Sequence, residues 1–204
     1  MKRRAILLLS VAIVLITAGG VASWRWWHNR PPYDPGVLGA RATLQLVDQA
    51  TADAALKPVN AVRAAEGDQI VLGRVTWSRP SQARKGDSFR IVLLDKRSHL
   101  MPGFIAVTSA RPDDVSTGLD GAIDSAQKRD SWLRGAGTQE GSAIFVEAVD
   151  VSPVTFQTVF RAPNPEAPPS YRVPTAPVSV EDLLVALIGV GPDGQVYWTQ
   201  RLLN

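Results

Sequence analysis

Nineteen consecutive residues without a charged side chain, AILLLSVAIVLITAGGVAS at positions 5–23, constrain this chain more than any other feature. At about 1.5 Å rise per residue the run makes a helix of about 28 Å, close to the hydrocarbon thickness of a bilayer. Ten of its residues are Ile, Leu or Val. Near a helix centre such residues together favour insertion by very roughly 3–6 kcal/mol, before Gly and Ser subtract from it. Met1-Lys2-Arg3-Arg4 precedes the run, so the positive-inside rule predicts a cytoplasmic N-terminus and an exported remainder. Trp24, Trp26 and Trp27 follow directly, amphipathic rings suited to a membrane interface.

A basic n-region and an apolar h-region also fit a cleaved signal peptide, with Val21-Ala22-Ser23 as a loose small-residue site. Cleavage there would leave Trp24-Arg25-Trp26-Trp27 as the new N-terminus, and the length of the run favours an uncleaved anchor. Either version exports the domain. The expected organisation is a basic cytoplasmic tail at 1–4, a transmembrane signal-anchor at 5–23 and an aromatic and proline-rich spacer at 24–40. One β-rich extracytoplasmic domain follows at 41–204.

The net charge of +3 and the pI near 9.5 come from the anchor. Residues 1–30 hold five basic and no acidic side chains, whereas residues 31–204 hold 17 basic and 19 acidic ones. A domain of that sign lacks the broad positive field behind non-specific nucleic-acid affinity, so nucleic acid is not an expected partner. With no cysteine, disulfides, thiol nucleophiles, iron–sulfur clusters, cysteine-ligated zinc and a lipoprotein anchor are all excluded. Two histidines, His28 and His99, leave little for a histidine-based metal site. Arg outnumbers Lys by 17 to 5, a bias that fits a GC-rich bacterial genome and an envelope protein; with the anchor, the expected location is the inner (plasma) membrane with the domain periplasmic or extracellular.

Beyond the anchor the signal is mostly strand. Val154, Phe156, Thr158 and Phe160 alternate with Thr155, Gln157, Val159 and Arg161, a period of two. Gln69–Trp77 and Ser88–Asp95 are each introduced by a Gly-Asp turn, at Gly67-Asp68 and Gly86-Asp87. Further strands are predicted at 142–150 and, more briefly, at 104–109. Segments 183–190 and 195–203 flank Gly191-Pro192-Asp193-Gly194 and read as a hairpin whose first arm is apolar on both faces. Helices are predicted over 117–134 and over Thr51–Lys57, the latter stopped by Pro58. Prolines make 29–36 a stiff spacer and 162–177 an extended surface loop. The predicted fold class is a transmembrane helix followed by an all-β or β-rich α+β domain, sandwich-like, with one or two short helices.

Motifs that carry chemistry mostly fail on context. Gly189–Gly194 matches G-x-G-x-x-G but leads into strand-like Val196-Tyr197-Trp198, so a hairpin turn is the better reading. No G-x-S-x-G, HExxH, EF-hand spacing or P-loop is present, and no cofactor is implied. Carboxylates recur at Asp113-Asp114, Asp120 with Asp124, Glu147 with Asp150, and Glu181-Asp182. Glycosidase-type chemistry would need two of them to converge across a cleft. Arg79, Arg84, Lys85, Arg90, Lys96 and Arg97 crowd 79–97 against Asp87 and Asp95. Of these, Arg79, Arg84 and Lys85 are the candidate contacts for an anionic surface or an acidic partner, a solvated loop being the bland alternative. The expectation is a non-catalytic binding or accessory domain of an envelope complex, touching the bilayer through its helix and other envelope proteins through its domain. A carboxylate-dependent envelope hydrolase and an immunity-type protein against an envelope-directed toxin are the alternatives.

Overall fold

The computed structural model describes residues 2–28, 30, 33–57, 59–78, 80–98, 100–103, 106–108, 115–116, 126–133, 137–138, 143–147, 152–166 and 175–203. The backbone alone is described at 2–9, 12, 25–26, 28, 100, 106, 115–116, 137–138 and 143–147. The chain forms two compact units, Met1–Pro31 and Pro32–Asn204.

The first unit is helix α1, Lys2–His28. Its backbone is continuous across the charge-free run, with no proline to break it. Thr17 Oγ1 donates back to the carbonyls of Ile13 (2.8 Å) and Val14 (3.0 Å), so its hydroxyl is satisfied within the helix. Ile13, Val14, Leu15 and Ile16 are all exposed, and Trp24 and Trp27 with them. Among the described residues no helix is long and apolar enough to cross a membrane. Leu7, Leu8 and Leu9, which the sequence counts towards the run, lie outside the side chains that this statement covers.

The second unit is β-rich with few helices. Its strands are β1 (Arg41–Val47), β2 (Gln69–Thr76), β3 (Ser88–Asp95), β4 (Leu100–Met101), β5 (Ala106–Val107), β6 (Val115–Ser116), β7 (Gly137–Thr138), β8 (Ala143–Glu147), β9 (Val154–Phe160), β10 (Leu183–Val190) and β11 (Val196–Leu203). One sheet has the order β1-β2-β9-β5 and is antiparallel throughout. The other runs β11-β10-β3, with β8 and β4 both on the far edge of β3, β6 on β8, and β7 parallel to β4. The connection 77–87 carries the chain from the first sheet to the second, where Trp77 packs edge-on against Phe89 with ring centroids 5.9 Å apart.

Period-two alternation decides which side chains meet. Val71 and Val75 on β2, Phe156 and Phe160 on β9, Phe89, Ile91 and Leu93 on β3, and Val185 and Leu187 on β10 fill the space between the sheets. The opposite faces of β3 and β10 offer Val92, Leu94, Leu184, Ala186 and Ile188, which pack against Ala126 and Leu133. That double coverage explains why β10 is apolar at every position, as its sequence predicts. Where a large ring lies on the sheet, its cross-strand partner is glycine. Gly73 faces Phe156, and a Cβ there would fall 2.1 Å from the ring; Gly189 faces Trp198, with 2.5 Å.

Helix α2 (Gln49–Ala55) begins two residues before the predicted Thr51, because the Asp48 carboxylate accepts from Thr51 N (2.8 Å) and caps the helix. It covers the outer face of the first sheet through Ala52, Ile70 and Val159. Of the helix expected over 117–134, a helical turn at 126–129 and a 3-10 turn at Ser131–Leu133 are described; 117–125 and 134 lie outside the described residues. The strand expected at 104–109 is described only as β5, and that at 142–150 as β8. Ahead of β1, Tyr33 and Leu38 are buried in the main core, and a 3-10 turn at Pro35–Leu38 is capped by Asp34.

Two ends of the sandwich follow from this register. One, the Tyr33 end, gathers the start of β1, the 77–87 connection and the turn at 191–195. There Ser78 N donates to Leu38 O (2.7 Å), and Val190 pairs with Ser88. The other, the α2 end, gathers α2, the turn before β2, the β3–β4 turn and the start of β10.

Candidate functional site

The basic segment 79–97 does not form one patch. Strand β3 separates it, with Arg84 and Lys85 before its first residue and Lys96 and Arg97 after its last. Eight residues of strand at about 3.3 Å each put roughly 25 Å between the two groups. Arg79 lies outside the described residues, and Lys85 is exposed at the turn. Arg84 reaches inward instead. Its guanidinium lies over the Tyr197 ring, 4.9 Å from the centroid, and donates to the Tyr197 hydroxyl; its Nε is 3.7 Å from Asp87 Oδ1. Of the interface tryptophans, Trp24 and Trp27 are exposed on α1, and the side chain of Trp26 lies outside the description.

Four of the described carboxylates, Asp68, Asp87, Asp95 and Asp182, are tied into the fold. Asp87 is buried and accepts from Arg84 N (2.8 Å). Asp95, 1 % exposed, accepts from Arg97 N (2.9 Å), Nε (3.0 Å) and a terminal guanidinium nitrogen (2.9 Å). Through this pairing the guanidinium donates to the carbonyls of Thr175 and Pro177, tying down the return from the proline-rich segment. The hydrogen bond to Asp95 raises Arg97 above even its ordinary value, against its partial burial. Asp68 takes Ala65 N and Ala162 N (both 2.9 Å) and Arg161 (2.6 Å). Asp182 closes a capping box with Ser179, as a first-turn acid should. Hydrogen bonds to Thr51 and Ser179 hold Asp48 and Asp182 below the usual carboxylate range. Burial, with Asp87 nearby, pushes the Tyr33 phenol up to about 12, and burial raises Tyr197 further still. Asp113, Asp114, Asp120, Asp124, Asp150 and His99, and the side chains of Glu147 and His28, lie outside the described residues.

Strand register assembles a surface that proximity in sequence does not. The strands of the first sheet carry no acidic residue and only two charges, Arg41 and Arg74. Arg41 pairs with Thr76, Thr43 with Arg74, and Arg74 with Thr155. All five side chains therefore share the outer face of the sheet, with the two guanidiniums diagonal to each other on neighbouring strands. Both arginines are exposed, and among the described residues neither has an ion pair. The row beyond them is closed off. Gln157 is fully buried, and its amide exchanges two 2.8 Å hydrogen bonds with the backbone of Val62 as a strand would. The open area is thus the half of the sheet nearest the Tyr33 end, made of threonine and arginine.

Two open grooves lie at the other end. One, of about 530 Å³, runs between Leu46–Gln49, Arg63-Ala64 and Asp68–Ile70. The second, of about 360 Å³, is lined by Asp95, Arg97, Ser98 and Thr175–Pro177, and its only charged groups are already paired with each other. Among the described residues no group of three or more His, Asp or Glu side chains is arranged to hold a metal ion. No protein family, curated protein or solved structure matches this chain.

Proposed function

We propose that this chain is a single-pass, membrane-anchored binding or accessory module of a bacterial cell envelope, N-terminus inside, with its β-rich domain displayed on the outer side. The observation that carries the reading is the exposure of apolar side chains around α1. Ile13, Val14, Leu15 and Ile16 are successive residues, exposed by 54 %, 64 %, 67 % and 72 %. At about 100° per residue, four in a row face every direction around the helix axis. A groove or a partner helix would cover one stripe of such a helix and leave the rest in water. A bilayer covers all of it, and Trp24 and Trp27 then meet the headgroup layer. Binding is favoured over catalysis because Asp68 and Asp95 are spent on backbone N–H groups and arginines of the domain itself, and Asp87 takes Arg84 N.

The absence of cysteine makes the topology directly testable. Single cysteines introduced at Lys2 and at Asn204 are labelled in intact spheroplasts with a membrane-impermeant maleimide. Labelling at 204 only, with the protein retained in alkali-washed membranes, is the expected result. Release by alkali, or loss of the first 23 residues from the intact mass, overturns the anchored reading. In-cell cross-linking of the full-length chain tests the binding half, where a reproducible set of envelope proteins is expected; none above background counts against it.

A further inference from the structure

Each sheet has one long edge strand, β1 in the first and β11 in the second. The β11 edge is blunted. Its pairing with β10 shifts register twice, and the Arg129 guanidinium donates to the carbonyls of Val196 and Tyr197 at its start. β1 has none of the devices that usually stop another strand from adding. It contains no proline, lysine or inward-facing charge, and its register with β2 runs unbroken from Arg41 opposite Thr76 to Val47 opposite Ile70. Among the described residues no backbone group is hydrogen-bonded to its outer edge, where alternate residues present their N–H and C=O groups.

We infer that β1 takes an added strand from a partner protein, an extended segment in which acidic and apolar residues alternate. The inference rests on the binding half of the proposed function and adds to it the surface and the chemistry of the partner. Main-chain hydrogen bonds supply affinity in strand addition, and the side chains of the edge set the specificity. On the inner face an added strand lies beside Ala42, Leu44 and Leu46. Leu46 is cross-strand from buried Val71 yet 43 % exposed, so an apolar side chain beside it completes a core that the edge leaves open. On the outer face the added strand lies beside Arg41, Thr43 and Gln45, with Arg74 one strand further in, opposite Thr43. Among the described residues neither arginine has an ion pair, and the strands of this sheet hold no acid. The acids that flank β1 in the chain, Asp34 and Asp48, accept from Gly36 N and Thr51 N, both at 2.8 Å. Two acidic side chains spaced by two residues in the partner therefore meet Arg41 directly and Arg74 across the short side chain of Thr43. A second copy of this chain is the poorer occupant, because the only charges on its two long edge strands are Arg41 and Arg201.

The test adds a fluorescent peptide as long as β1, glutamate alternating with valine, to the full-length protein in detergent. One control peptide keeps the composition but clusters the glutamates; the other keeps the alternation but replaces glutamate with lysine. Anisotropy reads binding, and hydrogen exchange reads backbone pairing. The alternating acidic peptide should bind about 10-fold more tightly than either control, and should slow exchange in 41–47 while leaving 49–55 unchanged. The Arg41→Gln/Arg74→Gln double variant should melt at the wild-type temperature, since both side chains are exposed, and bind that peptide about 10-fold more weakly for want of two charge pairs. Binding without slowed exchange in 41–47, or equal binding of the clustered peptide, overturns strand addition. Slowed exchange in 41–47 that grows with protein concentration and needs no peptide overturns the acidic partner in favour of a second copy. If no peptide binds while cross-linking in cells still captures envelope proteins, the β1 edge is overturned and the binding reading stands. If cross-linking also captures nothing, both fall.

Discussion

The turn Ala65-Glu66-Gly67-Asp68 and the turn Arg84-Lys85-Gly86-Asp87 are built alike. In each, the Asp N–H donates to the carbonyl three residues back at 3.1 Å, and the Asp carboxylate accepts from that residue's N–H, at 2.9 Å from Ala65 and 2.8 Å from Arg84. Each glycine takes a positive φ, 82° at Gly67 and 89° at Gly86, and a core strand starts at the next residue after Asp. The carboxylates differ in everything else they do. Asp68 also takes Ala162 N and the Arg161 guanidinium, so it fastens the end of β9 to the start of β2. Among the described residues Asp87 Oδ1 has no hydrogen-bond donor, and the arginine beside it, Arg84, turns to Tyr197. A four-residue motif thus specifies the turn, while its tertiary load is set by whatever the fold brings alongside.

The strongest way to break this comparison is to remove both carboxylates. Asp68→Ala deletes three hydrogen bonds, one of them charge-assisted, and should cost about 3 kcal/mol at roughly 1 kcal/mol per bond. Asp87→Ala deletes one and leaves a buried N–H without an acceptor, so about 1–2 kcal/mol is expected. Urea denaturation at neutral pH reads both. Equal losses would mean that Asp87 carries a load equal to that of Asp68. Replacement by Asn sharpens the test. Asn keeps one acceptor oxygen, enough for the single hydrogen bond that Asp87 accepts, and gives up only the 3.7 Å charge contact with Arg84 Nε, so Asp87→Asn should cost less than about 1 kcal/mol. Asp68 uses both oxygens, and Asp68→Asn should still cost about 2 kcal/mol.

The glycines test the shared, local part. Gly67→Ala and Gly86→Ala each force a Cβ onto a positive-φ residue, at about 1–2 kcal/mol. The new methyl meets Ala162 Cβ at 3.2 Å in one and Pro192 Cβ at 3.1 Å in the other. The two variants should therefore agree within about 0.5 kcal/mol, judged against the usual scatter of such measurements. A large difference would show that the turns are not equivalent even in backbone.

What was readable in the sequence divides along the same line. Both Gly-Asp turns, the 183–203 hairpin and the strand at 154–160 are written in contiguous residues, and each is found where it is predicted, although that strand is buried on both faces from Phe156 to Phe160 rather than half-buried. Relations between distant residues are not so written. Arg41 and Arg74, 33 positions apart in the chain, become neighbours only through the β1–β2 register, which no local pattern fixes. Alternation alone could have placed each on a polar face, but not on the same one. Gln157 reads as the solvent side of a half-buried strand, and it is buried because its amide stands in for a missing strand opposite Val62.

The smallest expected effect is a change of slope with pH. Burial alone would raise the Asp68 carboxyl, but hydrogen bonds from Ala162, Ala65 and Arg161 outweigh it and hold the group below the usual carboxylate range. The folded state therefore binds the proton more weakly than the unfolded chain, whose carboxyl titrates near about 3.9. Its contribution to stability is complete above that value and declines as pH falls towards the lower, folded one. Asp48 and Asp182 are lowered too, so acid weakens the wild type by more than the part due to Asp68. Comparison with Asp68→Asn isolates that part, because the other two groups titrate in both proteins. The urea midpoints of wild type and variant should differ most near neutral pH and draw together on acidification. A gap that stays constant would mean that Asp68 acts through the shape of its hydrogen bonds rather than through its charge, and would bring it closer to Asp87 than the fold implies.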